Sequence, residues 1–224
     1  VVSSFYYYFC FCHFKIEVMS FIQFVPNLYI ADDPSFGNYD RDIIHSLLAS
    51  VDVNFSIYLG IPPFNSCDCY IIYNPNCPMC TDIGIGHQIH LNTQENYWCQ
   101  WIYQFAHEYC HHLINGKFTG EITGLTWFEE SICELASIFQ LSFLYSSWSQ
   151  SHEEYQTRYA PSLRDYRDAL LSKNPQLLSL TDHPGWLQSW DSILSEPEYH
   201  RDYYNAIAVK MFPLFVEYPS LWKI

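Results

Sequence analysis

Phe105-Ala106-His107-Glu108-Tyr109-Cys110-His111-His112 carries the pattern H-E-x-x-H, and Trp127-Phe128-Glu129-Glu130-Ser131-Ile132-Cys133-Glu134 follows it. Residues four apart on a helix lie one above the other on the same face. His107 and His111 can therefore aim two imidazoles at one metal ion, and Glu108, beside the first, can reach a water on that ion. Zinc needs a third protein ligand if one position is to stay open. Glu130 offers it, after an 18-residue gap spanning 112–129.

The flanking residues predict helices for both blocks. Asn92-Thr93-Gln94-Glu95 can cap a helix start and Gly116 can end it, which puts the histidines in the last turns. Thr126-Trp127-Phe128-Glu129 has the form of a capping box, so Glu130 falls in the first turn of the next helix. Glu134, one turn later on the same face, is a candidate acceptor for the second N–H of a metal-bound imidazole. The intervening segment holds Gly116, Gly120 and Gly124 and is long enough to let the two helices pack antiparallel. Taken singly, a helical His pair reads as core-edge polarity and Glu129 and Glu130 as cap carboxylates. Their joint spacing favours the metal.

Over residues 85–148 the chain resembles the gluzincin class of zinc metallopeptidases, which contains thermolysin and the aminopeptidase-N-like enzymes. The carriers are His107-Glu108-x-x-His111, the 18-residue gap, Glu130 after the aromatic pair Trp127-Phe128, and Glu130-x-x-x-Glu134, where thermolysin has Asp at the last place. The resemblance implies zinc on His107, His111 and Glu130, with Glu108 polarising water. It also implies a zincin-like α+β fold: a small mixed N-terminal sheet, an active-site helix, and a mainly helical C-terminal part. No Gly-x-Met-x-Asn segment precedes the helix, so recognition of a free amino terminus is not implied.

The rest of the chain is expected to form one domain with it, 1–92 mainly β, 93–148 the zinc-binding helix pair and 149–224 helical. Residues 1–14 are apolar and aromatic, too short a run to span a bilayer and without the basic start of a signal peptide; they read as a buried strand, with Met19 an alternative start. Loose alternation over 15–33 predicts one or two strands, and Ile43, Ile44, Leu47 and Leu48 predict a helix over 40–50. Residues 54–61 and 70–73 read as strands. Residues 83–92 read as a strand too; in the resembled class a strand here is the edge along which an extended peptide lies. His87 and His90 are read on one face of it, as exposed edge polarity or substrate contacts. Further on, a helix is expected to run from Glu134 to about Trp148, another over 152–173 broken near Pro161, and a last one over 198–216 kinked or shortened by Pro213.

Cys67-Asp68-Cys69 and Cys77-Pro78-Met79-Cys80 leave three readings open: a small zinc knuckle, a disulfide-bearing loop, or unpaired thiols at a turn. Nine cysteines scattered through apolar stretches fit a reducing compartment such as the cytoplasm better than a secreted disulfide scaffold. The composition, 49% hydrophobic and 19% aromatic, excludes disorder. A formal charge of −14 argues against nucleic acid and anionic membranes as partners.

The expected reaction is hydrolysis of a peptide bond within a polypeptide, with zinc as cofactor and Glu108 as base and proton carrier. A donor to the tetrahedral oxyanion is sought in His200-Arg201-Asp202-Tyr203-Tyr204-Asn205, with Tyr204 chosen because Asn205 and Ala208 beside it suggest close helix packing. Two alternatives remain: a zinc hydrolase of another amide or ester, and a non-catalytic zinc-binding interaction module.

Overall fold

Apolar residues at 44, 47, 48, 51 and 55 keep helical spacing well beyond the first two turns, and no breaker interrupts them before Gly60. In a computed structural model, which describes residues 19–60, 67–116, 125–196 and 198–223, they form one helix, α1 (Arg41–Leu59). The Asp40 carboxylate accepts the Ile43 N–H at its start, and Gly60 ends it with φ of 64°, a left-handed conformation that glycine adopts without strain. The strand expected over 54–61 is thus corrected for its described part. Phe55 is buried on the helix, and the Asn54 amide donates to Gln140 at 3.0 Å. The strand expected over 1–14 lies outside the described residues.

Among the described residues, five short strands come before the helix that carries H-E-x-x-H: β1 (Phe21–Val25), β2 (Leu28–Ala31), β3 (Asp68–Tyr73), β4 (Met79–Asp82) and β5 (Gly86–Leu91). Their order in the sheet is β1-β2-β3-β5-β4, with β2, β3 and β5 parallel and the outer strands β1 and β4 antiparallel to their neighbours. The sheet is therefore mixed, and β5 is internal. This corrects its expected place at the edge, which β4 takes among the described residues. A Cβ at residue 86 would collide with the Asp68 carbonyl, so glycine there lets β5 close on β3.

Strand periodicity sorts the two histidines of β5 onto opposite faces, because residues three apart on a strand never share one. His87 points with Ile89 and Leu91 into the interior, whereas His90 meets Asn74 and Thr81. The expectation of a shared exposed face is corrected accordingly.

The interior side of the sheet packs on α2 (Trp98–Asn115), whose Trp101, Ile102, Phe105 and Ala106 are fully buried with Leu48, Val51, Ile71 and Ile89. α2 begins later than its expected cap. Glu95 has φ of 49°, and the Gln104 side chain reaches back to accept the Asn92 N–H at 3.0 Å, so residues 92–97 form a turn. α3 (Thr126–Trp148) lies against α2, and α4 (Glu154–Leu171) and α8 (Arg201–Glu217) flank α3. Both flanking helices run through their prolines, Pro161 and Pro213, correcting the expected break in the first. Three short helices, α5 (Pro175–Leu180), α6 (Trp186–Ser189) and α7 (Asp191–Leu194), lie between them. The architecture is α+β, a small N-terminal sheet followed by a mainly helical C-terminal part. Among the described residues no helix is long and apolar enough to cross a membrane.

One buried polar bond ties α1 to α2: the Tyr109 hydroxyl donates to Asp52 Oδ1 at 2.6 Å. Burial raises the Asp52 carboxyl above its ordinary 3.8, and the Tyr109 bond pulls it back. Removing the hydroxyl in Tyr109→Phe leaves a buried carboxylate unsatisfied, at a cost of about 1–3 kcal/mol. Because the lost bond favoured the charged form, the deficit is full at neutral pH and shrinks as acid protonates Asp52. Urea unfolding of the variant at pH 7 and pH 4 checks both statements.

Candidate metal centre

His107 and His111 sit one turn apart on α2 and face the first turns of α3. Glu130 lies between them, Oε2 at 3.3 Å from His107 Nε2 and Oε1 at 3.5 Å from His111 Nε2. One nitrogen from each ring and one oxygen of Glu130 lie within 4.8 Å of one another, a spacing that a single ion can collect. Two imidazoles and a carboxylate also match zinc by donor type, with a fourth position left for water.

The opposite sides of the rings face carboxylates as well. His111 Nδ1 meets Glu129 Oε1 at 2.7 Å, and His107 Nδ1 faces Glu134 Oε2 at 3.6 Å, a charge contact longer than a hydrogen bond. Such partners fix the tautomer and orientation of a ligating ring. α3 begins at Thr126 with Leu125 as its cap residue and no side-chain cap bond, so the expected capping box does not form. Its glutamate, Glu129, serves His111 instead.

Glu134 is 3% exposed and anchored on several sides. The Tyr103 hydroxyl is 2.7 Å from both of its oxygens, the Asn205 amide donates at 3.1 Å, and Arg201 donates to the Tyr103 oxygen at 3.0 Å. This network holds α2, α3 and α8 in one arrangement around His107. Tyr103 stands one turn before His107 on the same helix face, a spacing visible in the sequence. Arg201 and Tyr199 come from the start of α8 and the segment before it, and carry no periodicity that would have marked them.

Tyr199, not Tyr204, brings its phenol to the triad. The Tyr199 hydroxyl donates to Glu130 Oε2 at 2.9 Å while its ring remains partly open to solvent. Tyr204 is buried with Trp190 and Ile207, and its hydroxyl donates to the Glu198 carbonyl at 3.4 Å. The expectation for Tyr204 is corrected: its place on a buried face of α8 turns the hydroxyl to a backbone acceptor. Nor do Cys67, Cys69, Cys77 and Cys80 form one cluster among the described residues. Cys77 is exposed in the turn before β4 and Cys69 is buried in β3.

The electrostatics follow from three glutamates around two rings. Burial pushes the imidazoles down, but Glu130 and Glu134 outweigh it at His107, raising it to about 9. Glu129 and Glu130 do the same at His111, raising it to about 10. Glu130, despite burial, is held well below the usual carboxylate range by the two rings. Glu108 goes the other way. It is 6% exposed, and burial raises its carboxyl against the pull of His107 and His111. A carboxylate so placed is a stronger base than a solvated one.

Set against protein-family models, curated proteins and solved structures, the chain matches none.

Because both imidazoles are raised above their ordinary 6.5, the metal-free fold binds those protons more tightly than the unfolded chain does. Their contribution is complete below pH 6.5 and is lost as pH rises through about 9 to 10. Chelator-treated protein should therefore melt progressively lower over that interval. Glu130→Gln, which removes the shared carboxylate, should flatten the decline. A melting temperature independent of pH there would refute the pairing.

Proposed function

We propose that the chain is a zinc-dependent metallopeptidase of gluzincin type. The observation that carries this reading is the convergence of His107, His111 and Glu130 with a nearly buried Glu108 on the same helix as the two histidines. A structural zinc site has no use for a base beside its ligands, and fills its positions with protein donors rather than leaving one open. Zinc held there would supply a Lewis acid for the scissile carbonyl and acidify a water.

The chain's own residues divide the remaining work. Glu108 takes the proton of the attacking water and passes it to the leaving amine. Glu129 and Glu134 keep the two imidazoles oriented, and Tyr103, Asn205 and Arg201 keep Glu134 in place. Tyr199 is the donor nearest the triad and the residue we assign to the developing oxyanion. The substrate reading draws on β4, an edge strand antiparallel to β5 and packed near α2, which offers backbone groups to an extended polypeptide.

Zinc-loaded protein should cleave internally quenched peptides. Glu108→Gln should lower turnover by on the order of 10²–10⁴-fold with zinc content unchanged, and Glu130→Ala should lose the metal as well. Absence of cleavage by the loaded wild type across a peptide library, or undiminished turnover in Glu108→Gln, would overturn the assignment. Tyr199→Phe should lower kcat by on the order of 10²–10³-fold with little change in KM.

A further inference from the structure

His112 follows the ligand His111 in the chain, and one residue along a helix turns a side chain by about 100°. The ring of His112 accordingly leaves the α3 side and enters the layer between α2 and the sheet, where it is 4% exposed. There it meets His87 of β5, also buried, Nδ1 to Nδ1 at 2.7 Å with the rings nearly perpendicular. Cys67, immediately before β3, brings Sγ to 3.8 Å from His87 Nδ1. The three donor atoms lie within 4.8 Å of one another.

We propose that Cys67, His87 and His112 form a second zinc site, with three protein donors and the fourth position left to water. Two imidazole nitrogens on one tetrahedral zinc stand about 3.3 Å apart, and a nitrogen and a thiolate slightly farther. The observed 2.7 Å and 3.8 Å bracket those separations, so small side-chain rotations bring all three onto one ion. Without a metal the two facing nitrogens share a single hydrogen, one ring donating and the other accepting. The site is built rather than incidental. Tyr109 stacks on His112 at 5.3 Å, and Tyr109 is itself held by Asp52. His87 pairs across from Cys69, which places it on the inner face of the sheet. A thiolate with two imidazoles favours zinc or another thiophilic ion over magnesium or calcium. Bound there, the ion would join the start of β3, β5 and α2, and so fix the rotation of α2 that aims His111.

The site stands independently of the peptidase reading, and cobalt(II) separates the two. Full-length protein loaded with cobalt should hold two ions per chain and show a thiolate-to-cobalt charge-transfer band, since His107, His111 and Glu130 contain no sulfur. Cys67→Ser should lose the band and one ion. His107→Gln/His111→Gln should keep the band and retain one ion. No thiolate band in the wild type overturns the proposal, whatever happens at the first site. A band that survives Cys67→Ser, or that disappears in the double histidine variant, overturns it equally.

Discussion

The arrangement depends on one partly buried carboxylate. Glu130 projects from the first turns of α3 between two imidazoles of α2, beside an interface that buries Ala106, Cys110, Cys133 and Ala136. In that setting an unpaired charge is costly, and a bridging carboxylate lowers the cost only if both rings keep their positions. Each ring is held from behind, His111 by Glu129 and His107 by Glu134. The orientation of a pair of side chains thus propagates into the packing of α3 and, through Tyr103, Asn205 and Arg201, into the docking of α8.

The same cluster explains why adjacent acids differ in chemistry. Glu129, Glu130 and Glu134 each pair with a histidine of α2, whereas Glu108 sits on α2 itself, where burial outweighs the pull of the two rings. Burial raises Glu108, while ion pairing lowers Glu130 and Glu134. In the proposed hydrolysis Glu108 would move a proton while the other three stay charged, and those roles need opposite environments. One helix–helix interface supplies both.

What could be read from the residues was whatever depends on local spacing. The pairing of His107 with His111 and of Glu130 with Glu134 follows from the helical repeat, Glu130 itself from the 18-residue gap after the histidines, and the α+β organisation from alternation giving way to helical periodicity. What failed depended on tertiary partners. The helical spacing of Leu48, Val51 and Phe55 was present, but Asn54 onwards also suits a strand, and the pairing with Gln140 was not visible. Glu129 satisfied a capping pattern that the folded chain puts to other use. His87 looked like edge polarity because β4 returns to cover β5, an order no local pattern encodes. Tyr199 and Tyr204 were inseparable without knowing which face of α8 the interior takes.

The separations along the chain also impose a sequence of assembly. Glu129–His111, Glu130–His107 and Glu134–Tyr103 join residues 18, 23 and 31 positions apart. The Tyr199–Glu130 and Arg201–Tyr103 contacts close 69 and 98 positions. Short loops close at lower entropic cost and sooner than long ones. The helix hairpin bearing His107, His111 and Glu130 is therefore a kinetically local unit, and the phenol and guanidinium reach it only after α8 docks. The side chains proposed to hold zinc come together before the pocket around them is finished, which would let the proposed ion enter while the centre is still open to solvent.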